Sequence, residues 1–82
     1  MDFIISSIIL WPCDWAPEGW LLCNGQELSI SQNTVLYSLL GTTYGGDGIN
    51  NFMLPKMQNV TTASGGELRY IMCQYGAFPH RQ

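Results

Sequence analysis

Apolar and polar residues fall in this 82-residue chain as short runs separated by turn-forming residues, with one stretch of helical spacing. The N-terminal run Phe3 to Leu10 is rich in isoleucine, with Ser6 and Ser7 at its middle. Read as a strand it is apolar on both faces, Phe3, Ile5, Ile9 and Trp11 on one and Ile4, Ile8 and Leu10 on the other. Such a strand has to be covered on both sides. Pro12 to Gly19 is a turn-forming connection, and Trp20 to Cys23 is a short second strand that runs into Asn24-Gly25. That dipeptide predicts a tight hairpin, because both residues tolerate positive φ.

The helical stretch follows. Ser29 with Gln32 three residues on has the form of a capping box, Val35, Leu36, Leu39 and Leu40 recur on one stripe, and Gly41 stands where a left-handed C-cap belongs. The spacing predicts a helix from about Ser31 to Leu40 that lays its stripe on the sheet. Thr42 to Asn51 is glycine-rich and polar, and reads as an ordered or ordering loop. Phe52 to Pro55 is a short apolar run ended by proline, Gln58 to Gly66 is the most linker-like part, and Leu68 to Gln74 alternates enough to be a final strand. The order predicts an α+β fold, a small turn-rich domain of short strands and one helix over residues 1–82.

Composition changes the picture in one respect. Apolar residues make up 46% of the chain and charged residues only 11%, the reverse of a disordered composition. The polar surface is therefore built from Asn, Gln, Ser, Thr and Gly. Three basic residues set far apart in a chain of net charge −3 leave no electrostatic footprint for a phosphate backbone, which argues against nucleic acid as a partner. The Phe3 to Trp11 run lacks a positive flank, carries Asp2 instead and stops at Pro12, so it reads neither as a cleavable secretory signal nor as a membrane span.

Cys13, Cys23 and Cys73 form no CxxC pair, and the single histidine, His80, lies next to the C-terminus, which argues against a structural zinc site. The thiols read as small buried hydrophobes, with one intramolecular disulfide, Cys13 to Cys23 closing the shortest loop, or an intermolecular bridge as the alternatives. Gly45-Gly46-Asp47-Gly48 lacks the Lys-Ser/Thr of a phosphate-binding loop. Asp47, Asn50 and Asn51 offer oxygen ligands, but one carboxylate is thin for calcium, and an ordered turn is the plainer reading. Trp15, Trp20 and Tyr44 are candidate contacts for a surface glycan, since aromatic faces beside amides suit a saccharide; core and subunit contacts compete for the same aromatics. Serine, histidine and acid side chains are scattered, which predicts no catalytic constellation and no cofactor.

Several of these pieces, taken together, carry a resemblance. Ala16-Pro17-Glu18-Gly19-Trp20, Leu22-Cys23-Asn24-Gly25-Gln26, Ser29-Ile30-Ser31-Gln32-Asn33-Thr34 and Leu39 through the Thr42-Thr43-Tyr44-Gly45-Gly46-Asp47-Gly48 stretch resemble the phage tail collar domain, also met in the microcystin-dependent protein family. Phe52, Leu54 and Pro55 continue the match, and Leu68 to Arg81, with Gly76, Phe78 and Pro79, is similar to that family's C-terminal segment. The chain departs from the pattern at Lys56-Met57-Gln58-Asn59, and it looks like a shortened member without the usual central region. The resemblance implies a non-enzymatic, self-associating subunit of a phage-tail-like fibre or an extracellular filament or appendage, on a virion tail or a cell surface. Its partners would be further copies and other tail or appendage proteins. A carbohydrate- or receptor-binding tip is the alternative. The apolar strands place the expected subunit boundary at Ile4, Ile5, Ile8, Ile9, Tyr70 and Met72, with Tyr44, Gly45, Gly46, Asp47 and Gly48 as the motif loop.

Overall fold

The last strand organises the molecule. In the computed structural model, which describes residues 3–79, the strands are β1 (Ile8–Trp11), β2 (Trp20–Leu22), β3 (Glu27–Ser29), β4 (Asn51–Met53), β5 (Val60–Thr61) and β6 (Glu67–Cys73), with one helix, α1 (Thr34–Leu40). Strand β6 lies between β1 and β2 and also pairs with β5, all antiparallel, while β3 and β4 form a separate two-stranded sheet. The architecture is small, turn-rich α+β. His80 and Arg81 at one end and Asp2 at the other lie outside the described residues.

Why β6 is central can be read from its side chains. Ile71, Met72 and Cys73 are all buried, so consecutive residues, pointing to opposite faces, are covered on both. Met72 joins Ile5, Cys23, Leu36, Phe52 and Leu54 in the core on the helix side, with Tyr37, Leu39, Leu40 and Tyr70 packed against it. Every buried side chain of this core is apolar or a thiol.

The isoleucine-rich start is not one strand. Ile4 to Ser7 forms a β-turn closed by the Ser7 amide on the Ile4 carbonyl (3.1 Å), with Ser6 at its third position at φ 74°. Ser6 and Ser7 together face Cys73: the Ser6 amide donates to the Cys73 carbonyl and the Cys73 amide to Ser7, both at 2.8 Å. This is a β-bulge with its positive-φ residue first. The turn sends Ile5 into the core, 4% exposed, and leaves Ile4 to a single parallel bridge with Ala77. The two-sided covering expected of residues 3–10 belongs instead to β6.

Three other local expectations give way to tertiary pairing. The helix begins at Thr34, and the capping box does not form, because Ser29 is engaged in β3 opposite Asn51 and its hydroxyl meets that of Ser31. Asn33 flanks the helix without capping it; its amide nitrogen reaches back to the Ser29 carbonyl. Gly41 has a positive φ, 57°, but its ψ of −144° lies outside the left-handed helical region, so the expected left-handed C-cap does not form; its amide closes the helix on the Tyr37 carbonyl, and Val35 leaves the expected stripe at 47% exposed.

Asn24-Gly25 is a corner rather than a hairpin. The strand that follows pairs with β4, not β2, and the Gly25 amide donates to the Pro55 carbonyl at 3.3 Å. The stretch from Gln58 to Gly66 is no linker, for Val60 and Thr61 pair with Leu68 and Glu67 around a turn fastened by Thr62 and Gly66.

Ser6 holds a backbone conformation that costs a non-glycine residue about 1–2 kcal/mol. Ser6→Gly is expected to match or slightly exceed the wild type in denaturant midpoint, whereas Ser6→Val, being β-branched, should lower stability by about 1–2 kcal/mol. Equal midpoints for glycine and valine would show that the turn carries no such strain.

Candidate functional site

The glycine motif folds back on β4 as a compact knot. Met53 donates its amide to the Gly45 carbonyl, Gly48 donates to Asn51, and the Tyr37 hydroxyl reaches the Gly48 carbonyl at 3.3 Å. Gly46, at φ 100°, passes so close to β4 that a β-carbon there would stand 2.5 Å from Phe52 Cα and 2.7 Å from the Asn51 carbonyl. Both are backbone atoms of a paired strand, so neither can yield cheaply. At Gly45 the obstacle is the flexible Met53 side chain.

Asp47 is the organiser of this loop. Its Oδ1 accepts from the amides of Ile49, Asn50 and Asn51 at 2.8, 2.8 and 3.1 Å. The Asn51 side chain answers by accepting from the Asp47 amide and donating to Glu27 Oε1. Three amide donors favour the charged carboxylate and hold its pKa below the ordinary 3.8. The carboxylate thus fastens a turn. Among the described residues no cluster of three or more His, Cys, Asp or Glu could hold a metal ion.

The second feature is the edge of β1. Because the Cys73 amide bonds Ser7, alternation turns Ile9 and Trp11 toward β6 and turns the backbone N–H and C=O of Ile8 and Leu10 outward. Among the described residues nothing accepts or donates to those four groups. Their side chains are also uncovered, Ile8 at 38% and Leu10 at 45%, and Ile4 at 50% lies beside the preceding turn. No charged residue occurs between Asp2 and Asp14.

Of the residues expected at a subunit boundary, Ile5 and Met72 are in the chain's own core, Tyr70 packs against it, Ile9 is half-buried, and Ile4 and Ile8 are exposed. Leu10, outside that expected set, is exposed beside Ile8 on the same face, a placement readable from the alternation of the Ile8 to Trp11 segment alone.

The three aromatics proposed for a glycan are not gathered. Trp15 stacks edge-on with Trp11, and Trp20 with Phe3, which puts them at opposite ends of the sheet; Tyr44 is exposed in the glycine motif. Two shallow cavities of about 220 and 210 Å3 have other walls, Gln32, Asn33, Gln74 and Tyr75 in one and Asn24, Asn59, Arg69 and Tyr70 in the other. The thiols are all free. Burial pushes Cys23 up to about 11 and raises Cys73 as well, which favours the thiol over the nucleophilic thiolate at both.

The described residues thus present an apolar core, a self-fastened loop and an open strand edge. Residues 6–62 match the Phage Tail Collar Domain family, well over half of the chain, and the chain belongs to that family. Its role is therefore that of a structural part of a phage tail. The match takes in β1 to β5 and α1 and ends in the turn before β6. A comparison with curated proteins finds no match. No helix among the described residues is long and apolar enough to cross a membrane.

Gly46→Val should unfold the loop and lower stability by more than about 2 kcal/mol, whereas Asp47→Asn, which keeps an acceptor oxygen, should be milder. Since the folded pKa of Asp47 is depressed, its contribution is complete above pH 3.8 and is lost as pH falls through the lower folded value. Acid titrations followed by circular dichroism should accordingly show a shallower loss below pH 4 in Asp47→Asn than in the wild type; superimposable curves would deny the carboxylate this role.

Proposed function

We propose that the chain is a non-enzymatic, self-associating domain over residues 1–82, a subunit of a phage-tail-like fibre or of an extracellular appendage, whose partners are further copies and other tail proteins. The observation that supports this most is the β1 edge, where unpaired backbone groups and exposed Ile8 and Leu10 coincide on a segment without charge. Natural monomers blunt such edges with lysine, proline or a bulge; here the bulge at Ser6 and Ser7 on one side and Pro12 on the other bracket the four residues of β1, and among the described residues the outward groups of Ile8 and Leu10 stay open. Family membership supports the tail setting. The dispersal of Trp15, Trp20 and Tyr44 counts against the adhesive-tip alternative with surface glycans as ligands.

Sedimentation velocity and negative-stain imaging of the purified protein test the reading. Defined oligomers or fibres are expected without any added ligand. A well-folded monomer at tens of micromolar that binds glycans on an array would replace this reading with the adhesive tip.

A further inference from the structure

We infer that two copies of the chain join through β1 in an antiparallel, two-fold arrangement centred on Ile9, extending the β2, β6, β1 order into one sheet across the pair. The inference rests on the reading that the chain self-associates, and it specifies the pairing. Its basis is the phase of the strand. Only Ile8 and Leu10 present backbone groups outward, and an antiparallel copy with Ile8 opposite Leu10 matches the N–H and C=O of each residue to the C=O and N–H of the other.

That register satisfies all four outward groups on each copy, and the two-fold axis then passes between the Ile9 residues. A shift by one residue would set outward-facing groups against inward-facing ones. The side chains agree with the backbone. Ile8 and Leu10 share the sheet face that carries Tyr70 and Met72, and pairing brings the exposed Ile8 of each copy against the exposed Leu10 of the other. No charge within Phe3 to Cys13 opposes a like charge across the axis. The segment is self-complementary in hydrogen bonding and in polarity, which is what an isologous contact requires.

The test is disulfide trapping in the full chain with Cys13→Ser, the half-exposed thiol removed. Opposed residues of a non-hydrogen-bonded antiparallel pair have Cα atoms about 4.5 Å apart, within disulfide reach, so Ile9→Cys should give a covalent dimer on mild oxidation. Ile8→Cys should not, because its own copy lies two positions off. Ile8→Lys and Leu10→Lys, at exposed positions, should weaken association about tenfold or more while circular dichroism stays native. If oligomers form but Ile9→Cys is not trapped and the lysine variants associate normally, the β1 pairing is overturned while self-association stands. Should Ile9→Cys fail to fold, the lysine variants decide alone. A wild-type monomer at tens of micromolar removes both.

Discussion

Antiparallel pairing of β6 with β1 on one side and β2 on the other is the interaction on which the rest of the molecule depends. Neither outer strand pairs with the other, and β5 also has β6 as its partner. Strands of three and four residues have no independent stability in water, so they exist only where a longer strand provides hydrogen bonds and an apolar surface. Residues 70–73 provide both. Their alternate faces carry the helix-side core through Met72 and the opposite face through Ile71 and Cys73.

The position of β6 also explains why β1 is an edge. Bonding through Ser7, Ile9 and Trp11 leaves the other backbone groups of the strand pointing away, and no further strand follows on that side among the described residues. The bulge at Ser6 strengthens this by ending the strand abruptly and diverting Ile5 inward. One strained serine therefore divides an isoleucine-rich run into a core contribution and an uncovered surface. In a family of structural tail domains, an uncharged edge of this kind supports the proposal that the chain attaches to further copies through it.

The glycine motif works differently. Its conformation is held by the chain's own hydrogen bonds around Asp47 and by the close passage of Gly46 over β4. It bonds the middle of α1 through the Tyr37 hydroxyl on Gly48, and Asn51 links it across the β3 and β4 sheet to Glu27. The most specific stretch of the sequence is thus a fastening of the fold, and the open edge of β1 lies elsewhere, in a stretch with no motif at all.

Local sequence determined the elements whose cause is local. The existence of α1 with Leu36, Leu39 and Leu40 on its packed side, a positive-φ glycine at its end, the ordered character of the loop after it and the last strand were legible, because helical spacing, positive φ and alternation act over a few residues. The family resemblance was legible in the same way, from contiguous motifs. What the sequence could not decide was which partner each short strand would take. Asn24-Gly25 has hairpin chemistry but turns a corner, since β3 finds β4 rather than β2; Ser29 has capping chemistry but is taken up by pairing with Asn51. The division of Ile4, Ile5, Ile8 and Ile9 between core and surface was likewise set by the bulge against Cys73, a contact across 66 positions of the chain, and only the folded structure could choose it, because each isoleucine alone is equally suited to either place.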